Sequence, residues 1–166
     1  MNKACMNTAF KEWAVICRAL ALGRQDVILR KGGIAEGGGA FAPVHRDFLL
    51  LPTFLHQSAD SIVPAARDLL EDLDADRPPP GTVVFRHRVQ VTDVVEVCSF
   101  DELARFRDRH VWSDAVVTER FHRWRDQLHV LAVRVVPLPA PVTLPWREDY
   151  GGCKSWVELA ADVPVG

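Results

Sequence analysis

Apolar and polar residues alternate most regularly across 82–97, where Phe85, His87, Val89 and Val91 interleave with Arg86, Arg88, Gln90 and Thr92. A period of two predicts a strand with one face buried. The run LHVLAVRVV at 128–136 predicts a second long strand, and 27–30 a short one. At 47–51 the apolar run is unbroken and stops at Pro52, which predicts a strand covered on both faces and therefore central. Helical spacing marks Phe10, Trp13, Ala14, Cys17, Leu20 and Ala21 instead, predicting a helix over 8–22 that Gly23 ends in a left-handed conformation. The β-branched pair Val15-Ile16 leaves a strand open for its first half. A second helix is predicted over 62–75, with Pro64 in its first turn and an acidic outer face of Asp68, Glu71, Asp72 and Asp74. Ser99 and Glu102 form a capping box that opens a helix running to Arg109. Trp112-Ser113-Asp114 opens another, with Val117, Phe121 and Trp124 on its inner face. Prolines at 137, 139, 141 and 145 predict an extended, irregular connection, and the tail from Tyr150 to Trp156 is expected to be irregular too.

Strands and helices in this order do not alternate strictly, which disfavours a doubly wound parallel sheet. The expectation is a single α+β domain over 1–166, a small mixed and partly closed β-barrel with helices packed outside. Apolar residues make up 48% and charged residues 25% of the chain, a globular balance. No apolar run approaches the roughly 18 residues that span a bilayer. No basic region followed by an apolar stretch and a cleavage site opens the chain, so a cytoplasmic protein with no membrane contact is expected.

Cys5, Cys17, Cys98 and Cys153 include no close pair, which argues against a zinc knuckle or redox dithiol and for free, mostly buried thiols. No metal site and no cofactor is expected. There is no Gly-x-Ser-x-Gly elbow. None of the four lysines follows an acid by two residues, so the Asp…Glu-x-Lys arrangement of metal-dependent nucleases is absent as well.

The formal net charge of -2 conceals segregation: residues 1–50 carry seven Lys/Arg against four Asp/Glu, and residues 51–80 carry two against six. Such a distribution permits a basic patch on a near-neutral chain. Cations, glycines and histidines come closest together over 27–57. Arg30-Lys31-Gly32-Gly33 leads into a segment with five glycines in nine residues, so backbone N–H groups and cations could approach a phosphate. Neither a P-loop nor a GxGxxG motif is formed, and a solvated turn is the competing reading. His45 and His56 flank the 47–51 strand, too far apart along an extended chain to share a metal. Asp47 falls on the same strand face as His45 and could orient it. A second basic and aromatic group, Arg120, Arg123 and Arg125 around Trp124, could bind a single strand, although a solvated helix face with Trp124 in the core is expected.

Lys11-Glu12-Trp13-Ala14-Val15, Leu29-Arg30-Lys31-Gly32-Gly33-Ile34, Phe48-Leu49-Leu50 with Pro52-Thr53 and His56-Gln57, and Tyr150 to Val157 (YGGCKSWV) together resemble a bacterial family called domain of unknown function 1802. The resemblance covers residues 9–159 and implies no activity. The element order is also similar to that of PUA-like barrels such as ASCH domains, which generally bind RNA or modified bases. Such domains often open with Gly-x-Lys-Thr-x-Glu-x-Arg. Gly23 and Arg30 match that segment, while Gln25, Asp26 and Ile28 replace its Lys, Thr and Glu, a departure that favours binding over hydrolysis. The implied ligand is RNA or a modified base. Arg30 and Lys31 would contact phosphate over Gly32 and Gly33, His45, His56, Gln57 and Lys154 would face the ligand, and Tyr150 or Trp156 would stack. Two alternatives stand beside this: a nucleotide hydrolase with His45 or His56 as general base and Asp47 as orienter, and a protein-interaction module using the acidic face and the proline-rich segment.

Overall fold

Leu49 and Leu51 pack into one hydrophobic core while Phe48 and Leu50 pack into another, so consecutive residues of one strand bury both ways. This strand, β3 (Asp47–Thr53), lies inside a six-stranded sheet. The computed structural model describes residues 4–31 and 45–166. The other strands are β1 (Cys5–Trp13), β2 (Val27–Arg30), β4 (Thr82–Val97), β5 (Leu128–Pro145) and β6 (Trp156–Pro164), in the order β2-β5-β4-β3-β1-β6. β1 and β3 run parallel and the other neighbours antiparallel. The α+β class, the mixed sheet and the central place of β3 agree with the expectation.

The barrel closes less than expected. Among the described residues no ladder joins the end strands β2 and β6. The sheet curls instead, and side chains bridge the gap: the Arg30 guanidinium at the end of β2 lies 5.2 Å from the Phe10 ring centroid of β1 and 5.8 Å from that of Trp156 in β6. Register shifts in β4 at Phe85/His87 and Val91/Asp93 bend the long β4–β5 ribbon.

Residues 8–13 are strand, and the helix α1 covers only Ala14–Ala21. β1 sits between β3 and β6, so Ala9 and Phe10 are buried on opposite faces and the period of two is hidden. Gly23 follows the helix at φ +71°, the left-handed stop that the sequence implies. The expected helix over 62–75 is replaced by 3-10 turns at Ala59–Ser61, Pro64–Leu70 and Leu73–Asp76. Arg18 of α1 and Arg24, just past it, hold these turns. Arg18 donates to Asp76 and to the carbonyls of Leu69 and Glu71, and Arg24 to Asp68, so Asp68 of the acidic face and Asp76 beside it are paired within the chain.

The capping box is present: Ser99 Oγ accepts from Glu102 N and Glu102 Oε2 accepts from Cys98 N. Its helix, α2 (Phe100–Ala104), is short and gives way to a 3-10 turn before Arg109. α3 spans Asp114–His122, with Val117 and Phe121 buried. The proline-rich segment is part of β5, paired with β4 from Pro137↔His87 to Pro145↔Thr82. Prolines fit there because, among the described residues, this half of β5 has no strand on its other side to need an N–H. All four thiols are free, but only Cys17 is buried. No helix is long and apolar enough to cross a membrane.

Phe48 has no exposure, and its ring packs against those of Phe10 and Trp156 in the larger core. Phe48→Ala should therefore lower stability by about 3–5 kcal/mol in urea unfolding. A loss below about 1 kcal/mol would mean that β3 is not the packing centre.

Candidate nucleic-acid interface

The edge of the sheet where β1 hands over to α1 forms one wall of a cleft of about 1060 Å³. β3 leaves the sheet at the same place through Pro52, Thr53 and Phe54, and the exit of β2 and the end of α3 complete the enclosure. Its described lining carries seven cations, Lys11, Arg30, Lys31, Arg77, Arg120, Arg123 and Lys154, against a single carboxylate, Glu12.

Glu12 is 9% exposed. Its Oε1 accepts from Trp13 N at 2.8 Å, a contact made where the backbone turns from strand to helix. Burial pushes the Glu12 carboxyl above the usual range, and the positive charges of Arg120 and Arg30 and the Trp13 N–H pull it back. Arg120 shows the reverse: burial lowers its pKa and Glu12 raises it. The Arg120 guanidinium lies 4.1 Å from the ring centroid of Trp112, a fully buried indole that packs edge-on against Trp13. Side chains from β1, β2 and α3 thus place one acid and two arginines on the cleft floor.

At the rim, Trp124 and Trp146 are 61% and 49% exposed. Trp124 sits just past α3 at φ +66°, so the chain turns it away from the core that its sequence position suggested. Arg123 pairs with Glu119 beside it. Lys11 Nζ donates to the Gly152 carbonyl at 2.7 Å and fixes the Gly151–Lys154 rim, and burial, then Lys154, lowers its pKa.

The residues singled out from sequence fall into three groups. Arg30, Lys31, His56, Tyr150 and Lys154 line the cleft. His45, Gln57 and Trp156 do not line it, and Gly32 and Gly33 are outside the described residues. Lys31 acts as a clamp: Nζ donates to the carbonyls of Phe121 and Gln127 at 2.7 Å and to that of Arg125, tying β2 to the end of α3. Those three acceptors occupy the ammonium donors, which leaves Lys31 a framework role rather than a phosphate contact. Tyr150 is 3% exposed and its hydroxyl accepts from Ala160 N, so its ring belongs to the smaller core and offers no stacking face. Trp156 is packed against Phe10, Phe48 and His45. Gln57 accepts from Val15 N at the start of α1 and donates to Thr53 O and Leu55 O, shaping the exit of β3. His56, at φ +63°, is exposed on that exit. Asp47 is held by Arg88, with Nε at 2.7 Å, and does not orient His45. Among the described residues no group of three or more His, Cys, Asp or Glu could hold a metal ion.

Glu12, Trp13 and Trp146 carry no site signal in the sequence, whereas Arg120 stands there only as part of the basic group around Trp124. Only the cluster around Trp124 carried a signal, and its exposure depends on a left-handed residue that a helical pattern hides.

The family model of DUF1802, a domain of unknown function, matches residues 9–165. The chain belongs to DUF1802. No curated protein matches it. Solved structures of similar fold include the ASCH protein of Zymomonas mobilis, with a TM-score of 0.55 and 12% identity over 92% of this chain and 86% of that one. Two mutant forms of that protein match with the same TM-score at 10% and 11% identity, covering 92% of this chain and 87% and 88% of theirs. This DUF1802 chain therefore has an ASCH-like fold. Where the ASCH opening segment would carry Lys, Thr and Glu, Gln25 is buried between Val27 O and Val111 N, Asp26 pairs with Arg109, and Ile28 is in the core.

Two outcomes follow from this geometry. A carboxyl whose folded pKa is raised above its ordinary value of 4.5 favours the folded state below that value and loses this contribution as pH rises through the folded pKa. Glu12→Gln should thus melt above the wild type at neutral pH, with the gap closing as pH falls below about 4.5; a variant that melts lower at neutral pH would show that the charge stabilises the fold. Lys31→Met should lose about 1–2 kcal/mol in thermal unfolding, because three carbonyls lose a charged donor. An unchanged melting temperature would remove the clamp.

Proposed function

We propose that the cleft binds single-stranded nucleic acid, either an RNA segment or a strand carrying a modified base. The observation that supports this most is the lining itself, seven cations against one carboxylate in a chain whose net charge is -2, with two exposed tryptophans at the rim. Cations neutralise phosphates and release counterions, while aromatic faces stack bases without regard to sequence. Arg30, Arg123 and Lys154 neutralise the backbone in this reading, Trp124 and Trp146 stack, and His56 meets the ligand at the exit of β3. Lys31, Gln57, Trp156 and His45 hold the walls. The likeness of the fold to an ASCH protein is consistent with the assignment, and the departures at Gln25, Asp26 and Ile28 favour binding over turnover. A hydrolase built on His45 or His56 loses its orienter to Arg88, and a protein-docking role finds Asp68, Asp74 and Asp76 already paired with Arg24, Arg77 and Arg18. The protein is assigned to the interior of the cell, where single-stranded RNA is available.

Fluorescence anisotropy with a labelled oligouridylate tests the reading. Affinity should fall with salt at a log–log slope of about -2, or about -0.7 for each of three phosphate contacts. The double variant Arg123→Ala/Lys154→Ala should shift that slope to about -0.7, and Trp124→Ala should weaken binding about tenfold at constant slope. Absence of binding at low salt, or a double variant indistinguishable from the wild type, would sink the proposal.

A further inference from the structure

Glu12 and Arg120 carry opposite charges on the same cleft floor, yet no ion pair joins them among the described residues. Each is held by something else: Glu12 through one oxygen by Trp13 N, Arg120 by the face of Trp112. The second Glu12 oxygen accepts no hydrogen bond from the described residues, and the Arg120 guanidinium donates none to them. The free Glu12 oxygen and the Arg120 nitrogens open onto the cleft, where a ligand that displaces water can complete their hydrogen bonds. The completing ligand must present N–H donors to Glu12 beside acceptor atoms for Arg120. Trp13 and Phe54 line the same cleft and offer aromatic surface to a planar ligand.

Nucleobases differ sharply on this test. Guanine carries N1–H and N2–H side by side, the pair that a carboxylate accepts together, and next to them O6 and N7, the pair that a guanidinium donates to. Adenine and cytosine offer the carboxylate a single exocyclic amine with a ring-nitrogen acceptor beside it. Uracil offers one N–H between two carbonyls, which a carboxylate repels.

We propose that Glu12 and Arg120 form a guanine subsite, with the Glu12 carboxylate accepting from N1–H and N2–H and the Arg120 guanidinium donating to O6 and N7. This rests on the reading that the cleft binds single-stranded nucleic acid and adds which base it selects. Guanosine within an RNA strand and a free guanine nucleotide present the same edge.

The test uses the intact protein and three labelled RNA pentamers, identical except for a central guanosine, inosine or uridine, together with GMP and UMP in isothermal titration calorimetry. The guanosine strand should bind about tenfold tighter than the uridine strand. Inosine, which lacks only the N2 amine, should fall between them. Glu12→Gln should retain the uridine affinity and lose the preference for guanosine; the inosine comparison uses wild-type protein and stands whether or not the variant folds. Equal affinity for the three strands, or a guanosine preference that survives in Glu12→Gln, overturns the guanine subsite while nucleic-acid binding stands. Binding of GMP over UMP with no strand bound supports the subsite and overturns the strand reading. Absence of binding by every ligand overturns both.

Discussion

The structure hangs on a strand that cannot expose either face. With Phe48 and Leu50 in one core and Leu49 and Leu51 in the other, β3 must be flanked by strands and covered above and below. Its polar neighbours can only sit at its ends, where each finds a specific partner: Asp47 with Arg88 at one, Gln57 with the first turn of α1 at the other. The second contact fixes where α1 begins, and the strand-to-helix turn there is what points Glu12 at the cleft. One packing requirement in the middle of the sheet thus sets the position of a carboxylate at its rim.

The curl of the sheet has a comparable effect. Because the end strands meet through Arg30 stacked near Phe10 and Trp156 rather than through a ladder, a cation is placed where a closed barrel would have paired backbone. Lys31, the next residue, anchors the same strand exit to α3 and so holds Arg120, Arg123 and Trp124 in place opposite β1. Cations adjacent in sequence therefore divide the work, one at the surface of the cleft and one in its frame.

Much of the fold could be read from the chain. The period of two in β4, the unbroken run of β3, the Ser99–Glu102 box and the stop at Gly23 are local signals that depend on few distant partners. β1 failed because a strand buried on both faces has no amphipathic period, and Phe10, Trp13, Ala14 and Cys17 happen to match helical spacing across its junction with α1. The turns over 59–76 do not follow the helical pattern because Arg18 and Arg24, far away in sequence, satisfy their carbonyls and carboxylates. β5 and β6 extend beyond their readable parts because proline is excluded from a sheet only where an amide is needed. Of the region 27–57, Arg30, Lys31 and His56 line the cleft, while Gln57 shapes the exit of β3 and Asp47 is taken by Arg88. Glu12 gave no signal because a lone acid beside a lysine looks solvated until packing buries it.

The outer half of β5 has one more consequence. A sheet not sealed into a ring exposes backbone edges on which a strand of another molecule could align and propagate. Pro137, Pro139 and Pro141 alternate with Leu138 and Ala140, the spacing at which missing amides fall along one side of a strand. A second molecule approaching that side would find its carbonyls without donors at every other position, and the edge-to-edge pairing that lets a sheet grow from one molecule to the next would fail at its first contact.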